Sequence, residues 1–352
     1  MAIILAGSTY SYSSARVKAM ESNLVGAQTM QNIIDAGSVE AALSILFQQP
    51  AYKDDIAKYG GTSIKSNQID FALSRNLAES VNKLVEIAPT AQRKVLRALV
   101  GRWDIQNIRL AIEAKERGLG FDQIAANVID TSVGSSAIKE AMRESTVEGM
   151  LSRLAINSPY AEIIKGASNA YSKARNITDA ISALDVGYYS SLSGVIYQIS
   201  SEHYQSALIV KMHIDSKNIM TLIRAKKAGM QFKQIEPYLV ANGSMHRKEL
   251  EQVYDSARDL DEMVNHITRF DLKDGLEVYK KTGRLLPFEV AMNNHILNRG
   301  LSVLRPTILS FGTMLAYIYI KELEVRTLRI AINSKVYGIA PEDLSRLIAW
   351  KK

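Results

Sequence analysis

The sequence predicts an all-α protein of three similar helical domains. Three observations carry that expectation. Almost every segment of the 352-residue chain has helical apolar spacing, and no stretch shows strand alternation bounded by turn dipeptides. Proline and glycine fall where helices start and stop. One long element also occurs three times at a nearly constant period, the mark of an internal repeat.

That element opens with Trp103-Asp104-Ile105-Gln106-Asn107-Ile108 and runs through Lys115 to Gly118 and Phe121. Asp215, Asn218, Lys226, Gly229 and Phe232 repeat Asp104, Asn107, Lys115, Gly118 and Phe121 at the same internal spacing. A weaker third copy, displaced by almost the same interval again, holds Glu324, Thr327, Lys335 and Gly338. A second marker keeps nearly the same period. Ser38-Val39-Glu40 with Pro50 and Tyr52 returns as Thr146-Val147-Glu148 with Pro159 and Tyr160, and in part as Asp259-Leu260-Asp261. These spacings divide the chain into repeat domains 1–127, 128–243 and 244–352.

Taken in order, Tyr12–Ile34 reads as a first helix, with Val17, Met20, Leu24, Met30 and Ile33 on its apolar face. Ser38 is an N-cap candidate for Val39–Phe47, because its side-chain oxygen can take a free backbone N–H. Pro50 opens a short helix through Tyr59, and Gly60-Gly61 ends it. Asp70–Ile87 follows, then Thr90–Arg117 after Pro89, closed by Gly118. The longest apolar run, Thr307–Ile320, is shorter than the roughly 20 residues needed to span a bilayer, so it reads as a buried core helix. Asp259 is an N-cap with acidic first-turn neighbours.

Composition narrows the function classes. Apolar residues make up 47% of the chain, enough for a folded core. With no cysteine, thiol catalysis, disulfides and thiolate metal sites are excluded. The net charge of +7 divides as +2, +2 and +3 over 1–127, 128–240 and 241–352. A nucleic-acid binder more often concentrates its charge in a stripe or tail. Met1–Gly7 lacks the basic start and the length of a signal peptide.

No phosphate-cradling GxxxxGK[ST] loop occurs, and none of the five histidines, His203 among them, sits i,i+4 from another. No catalytic, cofactor-binding or metal-ligating residue is therefore named, and no cofactor is expected. The candidate residues are those of the repeat: Trp103, Asp104, Asn107, Lys115, Asp215, Asn218, Lys226, Glu324 and Lys335. Helical steps of 3 and 8 put the acid, the amide and the lysine of a copy close to one face. Two readings follow: a polar stripe for partner docking, or interhelical hydrogen bonds that fix how each domain's two long helices meet. Recurrence in differently placed domains favours the second, and Trp103 reads as core. Glu113 with Arg117, and Glu322 with Arg326, are expected as i,i+4 surface pairs.

At this point the residues resemble a known family. Arg102-Trp103-Asp104-Ile105-Gln106-Asn107-Ile108 is similar to the R-x-W-D-I-x-N-I motif of the C subunit of A-type and V/A-type rotary ATPases, equivalent to the d subunit of V-type ATPases. Tyr10-Ser11-Tyr12-Ser13-Ser14-Ala15-Arg16 resembles that family's opening. Phe311-Gly312, Leu315-Ala316-Tyr317 and Lys321-Glu322-Leu323-Glu324-Val325-Arg326 resemble its closing motif, with Thr327 where asparagine is usual. The resemblance implies a funnel-shaped protein of three pseudo-threefold-related helical domains and no active site of its own. It implies a place on the cytoplasmic face of the cell membrane, peripheral, between the proteolipid (c/K) ring and central stalk subunits D and F. Torque between ion flow and ATP synthesis or hydrolysis would pass through it. Alternatives are a helical scaffold for another protein or nucleic acid, and an enzyme with a site at Asp104 and Asp215.

Overall fold

A computed structural model describes residues 2–58, 66–197, 204–304 and 309–336. Tyr59, Gly60, Gly61, His203, Thr307 and Gly338 lie outside the described residues. Those described form α-helices joined by short turns, with no strand among them. In chain order the helices are α1 (Ala2–Glu21), α2 (Ala27–Asp35), α3 (Val39–Phe47), α4 (Pro50–Lys58), α5 (Ser66–Ile87) and α6 (Thr90–Glu116). Next come α7 (Phe121–Ile124), α8 (Ser135–Ala141), α9 (Val147–Ala155), α10 (Ala161–Ala174), α11 (Ile177–Tyr197) and α12 (Tyr204–Lys227). The last six are α13 (Phe232–Ile235), α14 (Arg247–Asp255), α15 (Leu260–His266), α16 (Lys273–Thr282), α17 (Leu286–Leu304) and α18 (Phe311–Val336).

The chain forms two compact units. Unit 1 is Met1–Ile181 with Thr307–Lys352, and unit 2 is Ser182–Pro306. In unit 1, α18 packs on α1, α2, α3 and α5, while α6 packs on α5, α8 and α9. Every residue from Phe311 to Ile320 is buried, so this part of the longest apolar run lies in a core helix, while Leu309 before it is exposed. In unit 2, α12 packs on α14, α15 and α17, and α16 packs on α17.

Local chemistry sets the helix ends. Ser38, Thr146 and Asp259 accept N–H bonds from Ala41, Gly149 and Glu262 at 3.1, 3.0 and 2.8 Å. The equivalent glycines Gly118 and Gly229 take φ of +68° and +67°, where an L side chain is strained. Each helix is closed by the same i,i−5 bond across its glycine: Leu119 N–H to Ala114 O, and Met230 N–H to Ala225 O.

Two expectations are corrected. Tyr12–Ile34 is not one helix, because α1 ends at Glu21 and α2 begins at Ala27. The break has a cause across the fold. The Val25 N–H donates to the Glu324 carboxylate at 2.5 Å instead of to a helical carbonyl. The i,i+4 surface pairs are also rearranged. Glu113 bonds Arg109 at 3.2 Å, and Glu322 bonds Arg102 at 2.5 Å.

Candidate functional site

The repeated polar residues of α6 face the chain that follows them. Asn107 serves the loop at 129–133 much as a backbone strand would. Its Nδ2 donates to Ile129 O and Val133 O at 2.7 and 2.8 Å, and its Oδ1 accepts the Ile129 N–H at 3.1 Å. Asp104 Oδ1 accepts the Val133 N–H at 2.5 Å and the Thr131 hydroxyl at 2.7 Å. Its Oδ2 accepts the Tyr160 hydroxyl at 2.8 Å. Lys115 Nζ donates to Met142 O, where α8 ends, at 3.1 Å. Asp104, Asn107 and Trp103 are buried, and the Arg102 guanidinium lies 4.6 Å over the Trp103 ring.

The second copy on α12 repeats this geometry. Asn218 Nδ2 donates to Val240 O at 2.9 Å, and its Oδ1 accepts the Val240 N–H at 2.8 Å. Asp215 accepts the Met245 N–H at 3.0 Å on Oδ1 and the Ser244 hydroxyl on Oδ2. Lys226 Nζ donates to Tyr254 O at 2.8 Å. Amide and loop residue are 22 positions apart in both copies.

The third copy lies on α18. Its partners come from the other end of the sequence. Glu324 Oε2 accepts the Val25 N–H, and Oε1 accepts the Tyr52 hydroxyl at 2.6 Å and Lys321 Nζ at 2.7 Å. Lys335 Nζ donates to Ile34 O at 2.8 Å. Val25, Ile34 and Tyr52 precede Val133, Met142 and Tyr160 by one constant interval. Thr327, in the amide's place, is buried, and its hydroxyl has no partner among the described residues.

So the acid and lysine of a copy are not paired with each other, and the set does not join a domain's two long helices. Each group holds backbone or a hydroxyl of a loop or short helix, and Glu324 also accepts Lys321 Nζ from its own helix. The reason is reach: the acid and the lysine stand eleven positions apart, three turns along the helix. Burial raises the pKa of Asp104 and of Asp215, and the Val133 and Met245 N–H donors respectively work against that rise. Burial lowers Lys321 against the opposing charge of Glu324, and raises Tyr52 well above an ordinary phenol.

The sequence reading missed the tyrosines, Lys321 and the loop. The signal for the first was present, since Tyr52 and Tyr160 recur at the period of the repeat. Shifted by the interval from Val133 to Met245, Tyr160 falls on Leu272, and both residues cap their helices. Three positions before each acid stand Lys321, Gly101 and Met212. A Cβ on Gly101 would collide with the Tyr160 hydroxyl, so the glycine makes room for the phenol. Asp215 has no phenol partner among the described residues. Beside it unit 2 holds a cleft of about 1290 Å³ whose wall includes Ile214, Gly243, Ser244 and Met245.

The carboxylate oxygens of all three copies are occupied by donors of the chain itself. Among the described residues no group of His, Asp and Glu is placed to hold a metal ion. No helix among them is long and apolar enough to cross a membrane.

Comparison with known proteins adds an independent line. A family model described as ATP synthase (C/AC39) subunit matches residues 13–347. The chain is similar to the A-type ATP synthase C subunit of Methanocaldococcus jannaschii, at 25% identity over 96% of this chain and 86% of that protein. The same-named protein of Thermococcus onnurineus is 27% identical over 96% and 90% of the two chains, and that of Thermoplasma acidophilum 23% over 97% and 98%.

Proposed function

The chain belongs to the ATP synthase C/AC39 subunit family, and from that membership we propose that it is a non-catalytic rotor subunit of an A/V-type rotary ATP synthase. In this reading it links the membrane proteolipid ring to the central stalk subunits D and F. It transmits torque between ion translocation and ATP synthesis or hydrolysis, and lies on the cytoplasmic face of the membrane. The observation that carries the proposal is the extent of the family match, which spans residues 13–347 and encloses all three repeat copies.

The joints support it physically. A torque element needs lobes that keep their shape under load. A buried, fully bonded polar group favours one arrangement of the backbone around it, because any other leaves a desolvated group unpaired. The joints bond internally and leave no carboxylate poised for acid–base chemistry. The division into repeat domains 1–127, 128–243 and 244–352 belongs to the same proposal, with each motif helix bonding residues of the next repeat in sequence. For α18 that next repeat is the first. The roles of Trp103, Asp104, Asn107, Lys115, Asp215, Asn218, Lys226, Glu324 and Lys335 are then structural.

Affinity purification of the tagged chain from membranes of the source organism tests this. Recovery of D, F and the proteolipid is the expected result. Recovery of the chain with neither stalk nor ring overturns it.

A further inference from the structure

Two of the exposed large apolar side chains flank one turn. Val278 near the end of α16 is 41% exposed, and Leu286 at the start of α17 is 63% exposed. Between them stand Lys280, Lys281 and Arg284, with no acidic residue from 278 to 286. Lys280 is answered by Asp261 at 2.5 Å. Lys281 and Arg284 are exposed and have no acidic partner among the described residues. Lys227 of α12 adds a further cation, with Nζ donating to Gly283 O at 2.7 Å. The nearest acids along α16 are Asp274 and Glu277, and Glu289 on α17 is paired with Arg224.

The turn is held firmly, so the exposure belongs to the fold. Gly283 closes α16 with φ +66°, its N–H donating to Tyr279 O at 2.7 Å. Lys227 Nζ also lies 5.5 Å over the Tyr279 ring, which packs on Phe288. A Cβ on Gly275 would sit 3.1 Å from Phe288, so α16 and α17 meet closely below the turn. The equivalent turn between α10 and α11 in unit 1 differs. Arg175 there takes the same left-handed conformation and is ion-paired with Glu148, and no large apolar side chain between Tyr171 and Ile177 is exposed.

We propose that the turn from Val278 to Leu286 is a membrane-contact surface for anionic lipid headgroups. Exposed aliphatic side chains flanked by unanswered lysine and arginine suit the headgroup boundary. There the apolar groups leave water while the cations meet phosphate. A nucleic acid would use the cations but would gain little from Val278 and Leu286.

The test is flotation of the purified full-length chain with vesicles of phosphatidylcholine alone and of phosphatidylcholine mixed with phosphatidylglycerol, at low and high salt. Each lysine or arginine near an anionic surface is worth about a factor of five, so three predict a preference for anionic vesicles on the order of 100-fold. Salt weakens it. Lys281→Glu with Arg284→Glu removes most of the preference, Leu286→Ser weakens binding severalfold, and Arg175→Glu at the other turn changes little. Circular dichroism verifies that each variant is folded. Equal binding to both vesicles, or wild-type binding by the double variant, overturns the proposal. So does an absence of vesicle binding by a turn whose charge reversal instead prevents recovery of a partner protein. The vesicles contain no other protein, so failure here leaves the rotor assignment standing, and failure of that assignment leaves this result standing.

Discussion

The joint at Asp104 in unit 1 and the joint at Asp215 in unit 2 use the same motif at the same spacing, yet differ in what completes them. Asp104 accepts the Tyr160 hydroxyl, and Gly101 leaves space for that phenol. Asp215 has Leu272 and Met212 in the corresponding positions and stands beside an open cleft. Glu324 is a third solution: Tyr52 is kept, Lys321 occupies the small position, and the longer carboxylate reaches Val25. The difference teaches that the loop contact is the common requirement. The third ligand of the acid varies with the volume left by its neighbours.

Substitutions can break or sharpen that contrast. The largest effect is expected at the ionic version. Lys321→Met leaves the Glu324 carboxylate buried without its countercharge and costs about 3–5 kcal/mol, read as a lower urea midpoint. Much of the loss returns in the Lys321→Met, Glu324→Gln double variant. If the single variant matches wild type, the lysine does not hold the third joint.

Tyr160→Phe comes next. It converts the Asp104 joint to the two-donor state of Asp215, and loss of a hydrogen bond to a charged group costs about 1.5–3 kcal/mol. The reverse change, Leu272→Tyr, brings no matching gain. Met212 stands where Gly101 makes room for Tyr160, so a phenol at 272 is expected to meet a side chain, and overpacking costs about 1–3 kcal/mol. A stabilised Leu272→Tyr protein would show that volume does not select the ligand.

Acidity gives a third test. Burial raises both aspartates above the ordinary 3.8 in the folded state, so their contribution is complete below that value and is lost as pH rises through the folded value. Asp104→Asn and Asp215→Asn abolish this dependence. The stability gap between wild type and either variant is therefore widest in acid and narrows toward neutrality, as urea midpoints across that range would show. A gap that widens with pH would mean the carboxylates are stabilised ionised. The smallest effect is expected at Thr327→Val, which removes a buried hydroxyl with no partner among the described residues and is neutral or stabilising by up to about 1 kcal/mol.

Much of the architecture was legible in the residues. Helical spacing, the caps at Ser38 and Asp259, the stop at Gly118 and the buried run before Lys321 follow from local rules, because each depends on neighbours within a turn or two. The repeat of Asp104, Asn107 and Lys115 was legible too, and so was the recurrence of Tyr52 and Tyr160. Their meeting was not. Nothing in local periodicity says that a carboxylate at 104 will find the phenol at 160, or one at 324 the N–H at 25.

By itself, then, the sequence determined an all-helical chain, the position of its polar motifs and a family resemblance that the comparisons bear out. Only the tertiary structure decided whom those motifs serve. Asp104, Asp215 and Glu324 hold loops and short helices instead of a second long helix, and the third copy on α18 bonds the segments at 25–52. The physical reason is that a buried carboxylate must find donors wherever packing brings them, and packing brings together residues whose separation along the chain carries no signal.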